Sequence, residues 1–189
     1  SMNSTLLGRP KTASTSFVVD LPGLMSRLAA DAVALSSVLS GHDGEERGPV
    51  HDLVFEPAPR WALLGVQSEL LSAMSNLVSN AIRYTPDSGE ITVRVAREAH
   101  AACVVVEDSG PGMSQLDIER AGVRFRRGAA GKKKGGAGLG LAIVGTITEI
   151  HGAKLLIENR PGRQGLRVAL VFTLDLPRFG AMHQKNAWS

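Results

Sequence analysis

The segment 76–84 carries amide, guanidinium and phenol side chains at helical spacing. These side chains are spaced so that they share one face of a helix, opposite an apolar stripe; they are Asn76, Asn80, Arg83 and Tyr84. Two carboxamides and a guanidinium on one face can hold a hydrated Mg²⁺ and a triphosphate, because Mg²⁺ prefers oxygen ligands and keeps several waters. Taken alone, the segment is explained equally well as a solvated polar face.

A carboxylate followed by glycines comes directly after a strand pattern that ends at Glu107. The carboxylate is Asp108, and the glycines Gly110 and Gly112 let the backbone approach a ligand closely. This arrangement suits recognition of the amino group of a purine, because a carboxylate accepts the hydrogen bonds that an amino group donates. As an isolated pentapeptide, the segment is more often a simple turn.

A second glycine-rich segment opens a helix pattern. It reads Gly136, Ala137, Gly138, Leu139, Gly140. Backbone N–H groups at a helix N-terminus, together with the helix dipole, favour an anion. The spacing also suggests a dinucleotide-binding fingerprint, but that motif requires a preceding strand, and here a basic segment precedes the glycines.

Basic residues concentrate between the two glycine-rich segments, around Phe125. They are Arg124, Arg126, Arg127, Lys132, Lys133 and Lys134. We interpret this segment as a mobile basic loop, because glycines are interspersed with the charges. Although the net charge of the chain is +3, only 4% of its residues are aromatic, so stacking platforms for nucleic acid are scarce. No nucleic-acid partner is expected.

Hydrophobic periodicity predicts the elements that position these residues. Asp20 is expected to cap a first helix, and further helices are predicted over 68–84, 115–121 and 138–151. Strands are predicted over 50–55, 61–64, 90–97, 101–107, 154–159 and 166–174. Together they predict an α+β fold, a two-layer α/β sandwich in which helices cover one face of a mixed sheet.

The chain of 189 residues is expected to form one domain over 17–176, with a flexible leader over 1–16 and a loose tail over 177–189. A serine before the first methionine is typical of a cleaved expression tag, so we expect a fragment of a longer protein. The single cysteine, Cys103, is expected to be buried and favours a reducing compartment. No apolar run approaches the ~20 residues that span a bilayer, and no direct membrane contact is expected of this domain.

These features, in this order, resemble the N, G1, F and G2 boxes of the GHKL superfamily, which includes gyrase, the Hsp90 chaperones and MutL. The segments 76–86 and 136–144 resemble sensor histidine kinases of bacterial two-component systems most closely, and the similarity covers about 17–176. The resemblance implies an ATP-binding catalytic domain of the Bergerat fold, with ATP and Mg²⁺ as cofactors.

The resemblance also implies a role for each matching residue. Asn80 matches the Mg²⁺ ligand, Asn76 the polar residue one turn earlier, and Arg83 a basic residue near the phosphates; these are the implied catalytic residues. The implied nucleotide contacts are Tyr84 beside the nucleoside, Asp108 on the adenine amino group, the pocket glycines Gly110 and Gly112, the F-box residues Phe125 and Arg127, and Gly136, Gly138, Leu139 and Gly140 at the phosphates. The segment 121–135 matches the ATP lid.

Two positions depart from the family pattern. Gly122 and Val123 stand where the F box usually has a Phe-Glu pair, which concerns docking of the lid rather than nucleotide binding. Leu166 stands where a threonine is common after the last glycine.

The residue type at the position of Asn76 distinguishes the hydrolytic members of the superfamily from the kinases. Hydrolytic members have a glutamate at this position, where it activates water, and an amide cannot act as a base. The resemblance therefore implies a protein histidine kinase that transfers the γ-phosphoryl group of ATP to a histidine. Two alternatives stay open: an ATPase switch of the chaperone or gyrase kind, and a nucleotide-binding regulatory module without transfer activity.

The acceptor histidine is not expected within this chain. His51 and His100 are expected at the surface, and His151 at a helix C-terminus, where it would interact with the dipole. The implied partners are the missing dimerisation helices that carry the acceptor and a response regulator. The implied parent is a homodimer anchored in the bacterial inner membrane, with this domain in the cytoplasm and unable to autophosphorylate alone.

Overall fold

The computed structural model describes residues 17–40, 48–60, 63–98, 101–127 and 136–173. The helices of these ranges are α1 (Leu21–Ser40), α2 (Gln67–Tyr84), α3 (Gln115–Arg127) and α4 (Gly136–Ile150). The strands are β1 (Phe17–Val18), β2 (Asp52–Phe55), β3 (Leu64–Gly65), β4 (Glu90–Glu98), β5 (Ala101–Asp108), β6 (Ala153–Asn159) and β7 (Leu166–Thr173).

Five strands form one mixed sheet in the order β2-β4-β5-β7-β6. β2 runs parallel to β4, and the remaining neighbours pair antiparallel. β1 and β3 pair separately, with Phe17 opposite Gly65. The prediction of a mixed sheet is confirmed.

Alternation along the strands places the main core on one face of this sheet. Val104 and Val106 of β5 belong to the large cluster that also contains buried residues of α1, α2 and α4. Cys103 and Val105 point to the other face and belong to a small separate cluster, because successive side chains of a strand alternate. The two-layer α+β architecture and the burial of Cys103 are confirmed.

Side-chain caps fix the starts of α1 and α3. Asp20 Oδ1 accepts the Gly23 N–H at 3.1 Å, as the sequence predicts, and Ser114 Oγ accepts the Asp117 N–H at 3.1 Å. Each bond satisfies a donor that the first turn of a helix leaves unpaired. The start of α3 matters for the site, since this helix begins directly after the Asp108 loop.

α3 is longer than predicted, because it runs to Arg127 instead of ending at residue 121. Ala121 is buried and Phe125 packs against the core, so their i, i+4 spacing continues the buried stripe through the expected loop. The prediction of a loop is therefore wrong for residues 122–127. Residues 128–135 of the expected lid lie outside the described ranges.

Several other predictions fall at the edges of the described ranges. The short strand expected over 61–64 lies at Leu64–Gly65, and residues 61–62 are not described. The expected leader (1–16) and tail (177–189) also lie outside these ranges. None of the helices within them is both long and apolar enough to cross a membrane.

His51 is buried, so the prediction of a surface position is wrong. Its Nδ1 lies 2.7 Å from Ser36 Oγ, and its Nε2 lies 2.7 Å from the Thr85 carbonyl oxygen. A neutral ring that donates from Nε2 and accepts at Nδ1 satisfies both partners. His51 thereby joins α1 to the residue that follows α2.

His151 is fully buried behind the C-terminus of α4. Its Nε2 accepts the Val66 N–H at 3.1 Å, so Nδ1 carries the proton that is donated to the Ile147 carbonyl at 2.8 Å. The neutral ring therefore donates a hydrogen bond to a carbonyl in the last turn of α4. Through its other nitrogen it connects this helix to the start of α2. His100 lies outside the described ranges.

Candidate nucleotide-binding site

A cleft of ≈ 310 Å³ opens between the helix-covered face of the sheet and the helices α2, α3 and α4. It is lined by Leu77, Asn80, Ala81, Tyr84, Val106, Asp108, Pro111, Gly112, Met113, Asp117, Arg120, Ala121, Arg124, Leu141, Ile157, Leu166 and Val168. Apolar walls with a few convergent polar groups are usual for small-molecule sites of about 300–1,000 Å³. The walls suit a flat aromatic base, and the polar groups can orient it.

Asp108 is the buried acid of this cleft, only 6% exposed. Its Oδ1 accepts the N–H of Gly110 at 2.9 Å and the N–H of Leu166 at 3.3 Å. Its Oδ2 accepts no hydrogen bond from the described residues. One carboxylate oxygen is therefore fixed by the backbone, and the other is available to a donor on a ligand.

Burial raises the pKa of Asp108 above its ordinary value, because desolvation penalises the carboxylate. The N–H groups of Gly110 and Leu166 and the positive charge of Arg160 act in the opposite direction and offset this effect in part. A ligand that donates a hydrogen bond to the carboxylate supplies an interaction that burial has removed.

Asn159 of β6 holds the loop that follows Asp108. Its Oδ1 accepts the Met113 N–H at 2.9 Å, and its Nδ2 donates to the Met113 carbonyl at 2.7 Å. Gly112 has a φ of 74°, and a Cβ there would lie 2.6 Å from Asn159 Oδ1, so only glycine fits this position without strain. The loop that carries Gly110 and Gly112 is thus fixed on the sheet.

Gly165 brings the β6–β7 hairpin against the end of β5. Its φ is 125°, and a Cβ at this position would collide with the backbone carbonyl oxygen of Asp108. This close approach allows the next residue, Leu166, to donate its N–H to the Asp108 carboxylate. The sequence predicted both strands of this hairpin but not this contact, because the contact depends on which strands are neighbours in the sheet.

The polar face of α2 is divided between the cleft and its surroundings. Asn80 and Tyr84 line the cleft, with Tyr84 57% exposed at its rim. Arg83 is exposed and is not among the lining residues. Asn76 is half-buried outside the lining, and its Nδ2 donates to the Ser72 carbonyl at 2.8 Å.

The predicted phosphate-binding residues form the start of α4; they are Gly136, Gly138, Leu139 and Gly140. A Cβ at Gly140 would lie 2.9 Å from Asn76 Oδ1, so α4 begins beside the polar face of α2. Leu141, the next residue, lines the cleft. The structure therefore brings the second glycine-rich segment next to Asn76 and to one wall of the cleft.

Of the two F-box residues, Phe125 is not among the described residues that line the cleft. Phe125 packs between α3 and the core, with its backbone carbonyl against Gly145 of α4, and Arg127 is the last residue of α3. Arg120 and Arg124 line the cleft instead. Their i, i+4 spacing would have placed them on one face, but the sequence-based prediction ended the helix too early to use it.

Asn80, the residue that the sequence analysis assigns to Mg²⁺, lines the cleft. No group of three or more His, Cys, Asp or Glu side chains in these ranges could hold a metal ion. A metal in the cleft would take most of its ligands from phosphate oxygens and water, and the Asn80 carboxamide oxygen would add one. This donor set fits Mg²⁺, which prefers oxygen and keeps waters.

Residues 65–178, more than half of the chain, match the family model described as histidine kinase-, DNA gyrase B-, and HSP90-like ATPase. The phosphate regulon sensor protein PhoR of Pseudomonas aeruginosa is 38% identical over 146 residues, which cover 76% of this chain and 33% of PhoR. The chain spans about a third or less of the curated relatives it matches.

Solved structures share the fold. The mycobacterial sensor histidine kinase MprB has a TM-score of 0.62 at 25% identity, over 84% of this chain and 97% of that chain. Full-length ShkA in complex with AMPPNP has a TM-score of 0.64 at 21% identity, over 85% of this chain and 32% of that chain. With the ordered motifs and the cleft, these matches show that the chain belongs to the histidine kinase-, DNA gyrase B- and HSP90-like ATPase family.

Proposed function

We propose that the cleft holds ATP, with the adenine ring between the sheet and α3 and its amino group on Asp108. The apolar walls exclude water from the base, and the free Oδ2 of Asp108 accepts the amino hydrogen. From there the phosphates would run along α2 towards the start of α4, where Asn80 and the glycine-rich turn lie. ShkA, which shares this fold, has been solved in complex with AMPPNP, and this supports a nucleotide as the ligand.

The remaining predicted site residues take supporting roles in this proposal. Tyr84 would contact the nucleoside at the rim, Gly110 and Gly112 would shape the base pocket, and Arg83 would approach the phosphates. Gly136, Gly138, Leu139 and Gly140 would present backbone N–H groups to them, and Phe125 and Arg127 would act through the lid. Asn80 would hold Mg²⁺, which when bound neutralises charge between phosphate oxygens.

The proposed reaction is transfer of the γ-phosphoryl group to a histidine on dimerisation helices outside this chain. The observation that carries this choice is Asn76, which occupies the place of the water-activating glutamate of hydrolytic relatives and whose amide nitrogen is bonded to Ser72. A carboxamide cannot accept the proton of an attacking water. An imidazole acceptor is itself nucleophilic at neutral pH and needs no such base.

The whole protein would serve two-component signalling. Its proposed partners are its own phosphoacceptor helices, a second copy of itself and a response regulator. We place this domain in the cytoplasm of a bacterium, attached to a parent anchored in the inner membrane. PhoR, which is much longer than the matching region, supports a multidomain parent.

The test is phosphoryl transfer from labelled ATP to the native upstream helices, supplied as a separate polypeptide with Mg²⁺. We expect label on a histidine of those helices, none on this chain alone, and slow release of free phosphate. Rapid release of phosphate without transfer would support an ATPase switch instead. ATP binding with neither reaction would support a regulatory module.

Asn80→Ala and Ser79→Ala form a matched pair for this assay. Asn80 lines the cleft, whereas the Ser79 hydroxyl bonds the Asn76 carbonyl within α2. Transfer should be lost in Asn80→Ala and retained in Ser79→Ala. Equal transfer by both variants would contradict the role of Asn80.

A further inference from the structure

Arg160 is a buried cation that the proposed phosphoryl transfer does not use. It follows β6 and is 8% exposed. Its Nη1 donates to the backbone carbonyl oxygen of Asp108 at 3.0 Å. The stem of the side chain lies beside Gly165, where a Cβ would be 2.8 Å from Arg160 Cδ. Arg160 therefore reaches the end of β5 from the neighbouring hairpin.

This hydrogen bond replaces a backbone hydrogen bond between β5 and β7 that the end of the sheet lacks. The pairing of β5 with β7 ends at Glu107 and Arg167, so the Asp108 carbonyl has no β7 partner in the ladder. The guanidinium of Arg160 supplies the donor instead. An unpaired buried carbonyl would be unfavourable, so the guanidinium stabilises the end of β5 on the side that faces β7, while β4 pairs with Asp108 on the other side.

Glu107 forms an ion pair with Arg160 on the face of the sheet that points away from the cleft. Its Oε2 lies 3.8 Å from Arg160 Nε, while its Oε1 lies 3.0 Å from Arg94 Nη2 and 3.5 Å from Arg167 Nε. The Arg160 Nε is buried and has no hydrogen-bond partner among the described residues, so charge rather than a hydrogen bond holds this end of the guanidinium. Adjacent residues of β5 thus hold one arginine, Glu107 by its side chain and Asp108 by its carbonyl.

We propose that Arg160 is a positioning residue for nucleobase recognition, which fixes the end of β5 so that Asp108 Oδ2 meets the amino group of the base. This inference rests on the proposed function, because it requires a purine in the cleft. Arg160 does not line the cleft and would not touch the nucleotide. Its effect should therefore appear in the discrimination between bases and not in the contacts to the phosphates.

The test compares the Kd of ATP with the Kd of purine riboside triphosphate, which lacks the 6-amino group, in Mg²⁺ buffer. The wild-type chain should prefer ATP, and Arg160→Met should reduce that preference by about 10-fold, the effect of a displaced charge-assisted hydrogen bond. Arg160→Lys, which keeps the charge, should lie between them. Affinity for purine riboside triphosphate should change little in either variant.

Arg94→Met is the matched control, because Arg94 bonds the same Glu107 carboxylate, whereas the guanidinium that donates to the Asp108 carbonyl is that of Arg160. It should keep the wild-type preference for ATP. A wild-type preference in Arg160→Met, or an equal loss in Arg94→Met, would overturn the inference. If Arg160→Met does not fold by circular dichroism, Arg160→Lys decides: an intermediate preference supports the inference and an unchanged one overturns it. If the wild-type chain binds neither nucleotide, the proposed function itself fails.

Discussion

Burial of the Asp108 carboxyl group disfavours its ionised form, whereas the proposed recognition of adenine requires that form. Burial raises the pKa of this group, so the folded state binds a proton more tightly than the unfolded chain does. As the pH rises through the window between the two pKa values, ionisation of Asp108 therefore lowers the free energy of unfolding. The same ionised oxygen is the acceptor that the amino group of adenine needs.

Asp108→Asn should separate these two effects. Near neutral pH the variant should unfold with equal or greater free energy than the wild-type chain, and the difference should shrink as the pH falls through the window between the raised and the ordinary pKa of Asp108 and vanish below the ordinary one. ATP affinity should fall by about 10- to 100-fold, because a hydrogen bond to a charged acceptor is worth about 1.5–3 kcal/mol. Urea unfolding at several pH values and calorimetry measure the two quantities. Marked destabilisation near pH 7 would contradict this account of burial.

Gly165 is the second residue on which the site depends. Gly165→Ala places a Cβ against the Asp108 carbonyl at a φ of 125°, so strain of about 1–3 kcal/mol adds to a steric clash. Gly162→Ala is the control, since its φ of 68° is also left-handed but nothing lies within 4 Å of a Cβ. We expect Gly165→Ala to lose more stability in urea unfolding and also to lose ATP affinity. Equal effects of the two substitutions would contradict the importance of the close approach between Gly165 and the Asp108 carbonyl.

At the scale of elements, the packing of α3 on α4 forms one wall of the cleft. The backbone of Phe125 meets Gly145 of α4 with no room for a side chain. A neighbouring face of α3 presents Arg120 and Arg124 to the cleft. The distance between the two helices therefore sets the position of both arginines relative to Asp108.

Gly145→Ala should push these helices apart. The added methyl group should destabilise the fold by about 1–3 kcal/mol, as overpacking does, and weaken ATP binding. Gly122→Ala is the matched control on α3, where a Cβ meets nothing within 4 Å, and it should stabilise the chain by about 0.5–1 kcal/mol through helix propensity. Thermal unfolding and ATP titration of both variants check this. A Gly145→Ala variant with unchanged stability and unchanged ATP affinity would contradict the claim that the spacing of α3 and α4 determines the shape of the cleft.

The sequence predicted elements well where periodicity and turn residues agree, as in α2 and the β4–β5 hairpin. It failed at α3, where glycines and basic residues suggested a loop, although the spacing of Ala121 and Phe125 continued a buried helix face. It also failed for His51, because a polar residue beside a strand gives no sign that Ser36 and Thr85 will enclose it. Tertiary contacts decided both cases.

For the whole molecule, the order of the polar and glycine-rich segments predicted the family, and the topology explains why that order works. Neighbouring strands β5 and β7 bring Asp108 to the Gly165 turn, while α2 and α4 adjoin at Asn76 and Gly140. Arg160 and Asn159 could not be found in this way, since their roles depend on strand order and on backbone atoms that a sequence does not display. The motif segments were thus visible in the sequence, and the residues that hold them in place were not.

The central claim is that this cleft is an adenine-specific ATP site anchored by Asp108. Calorimetric titration of the chain with ATP and with GTP, each at saturating Mg²⁺, tests it most directly. One ATP should bind per chain, and GTP should bind far more weakly, because guanine presents a carbonyl oxygen where Asp108 needs a donor. The absence of ATP binding, or equal affinity for ATP and GTP, would contradict the account.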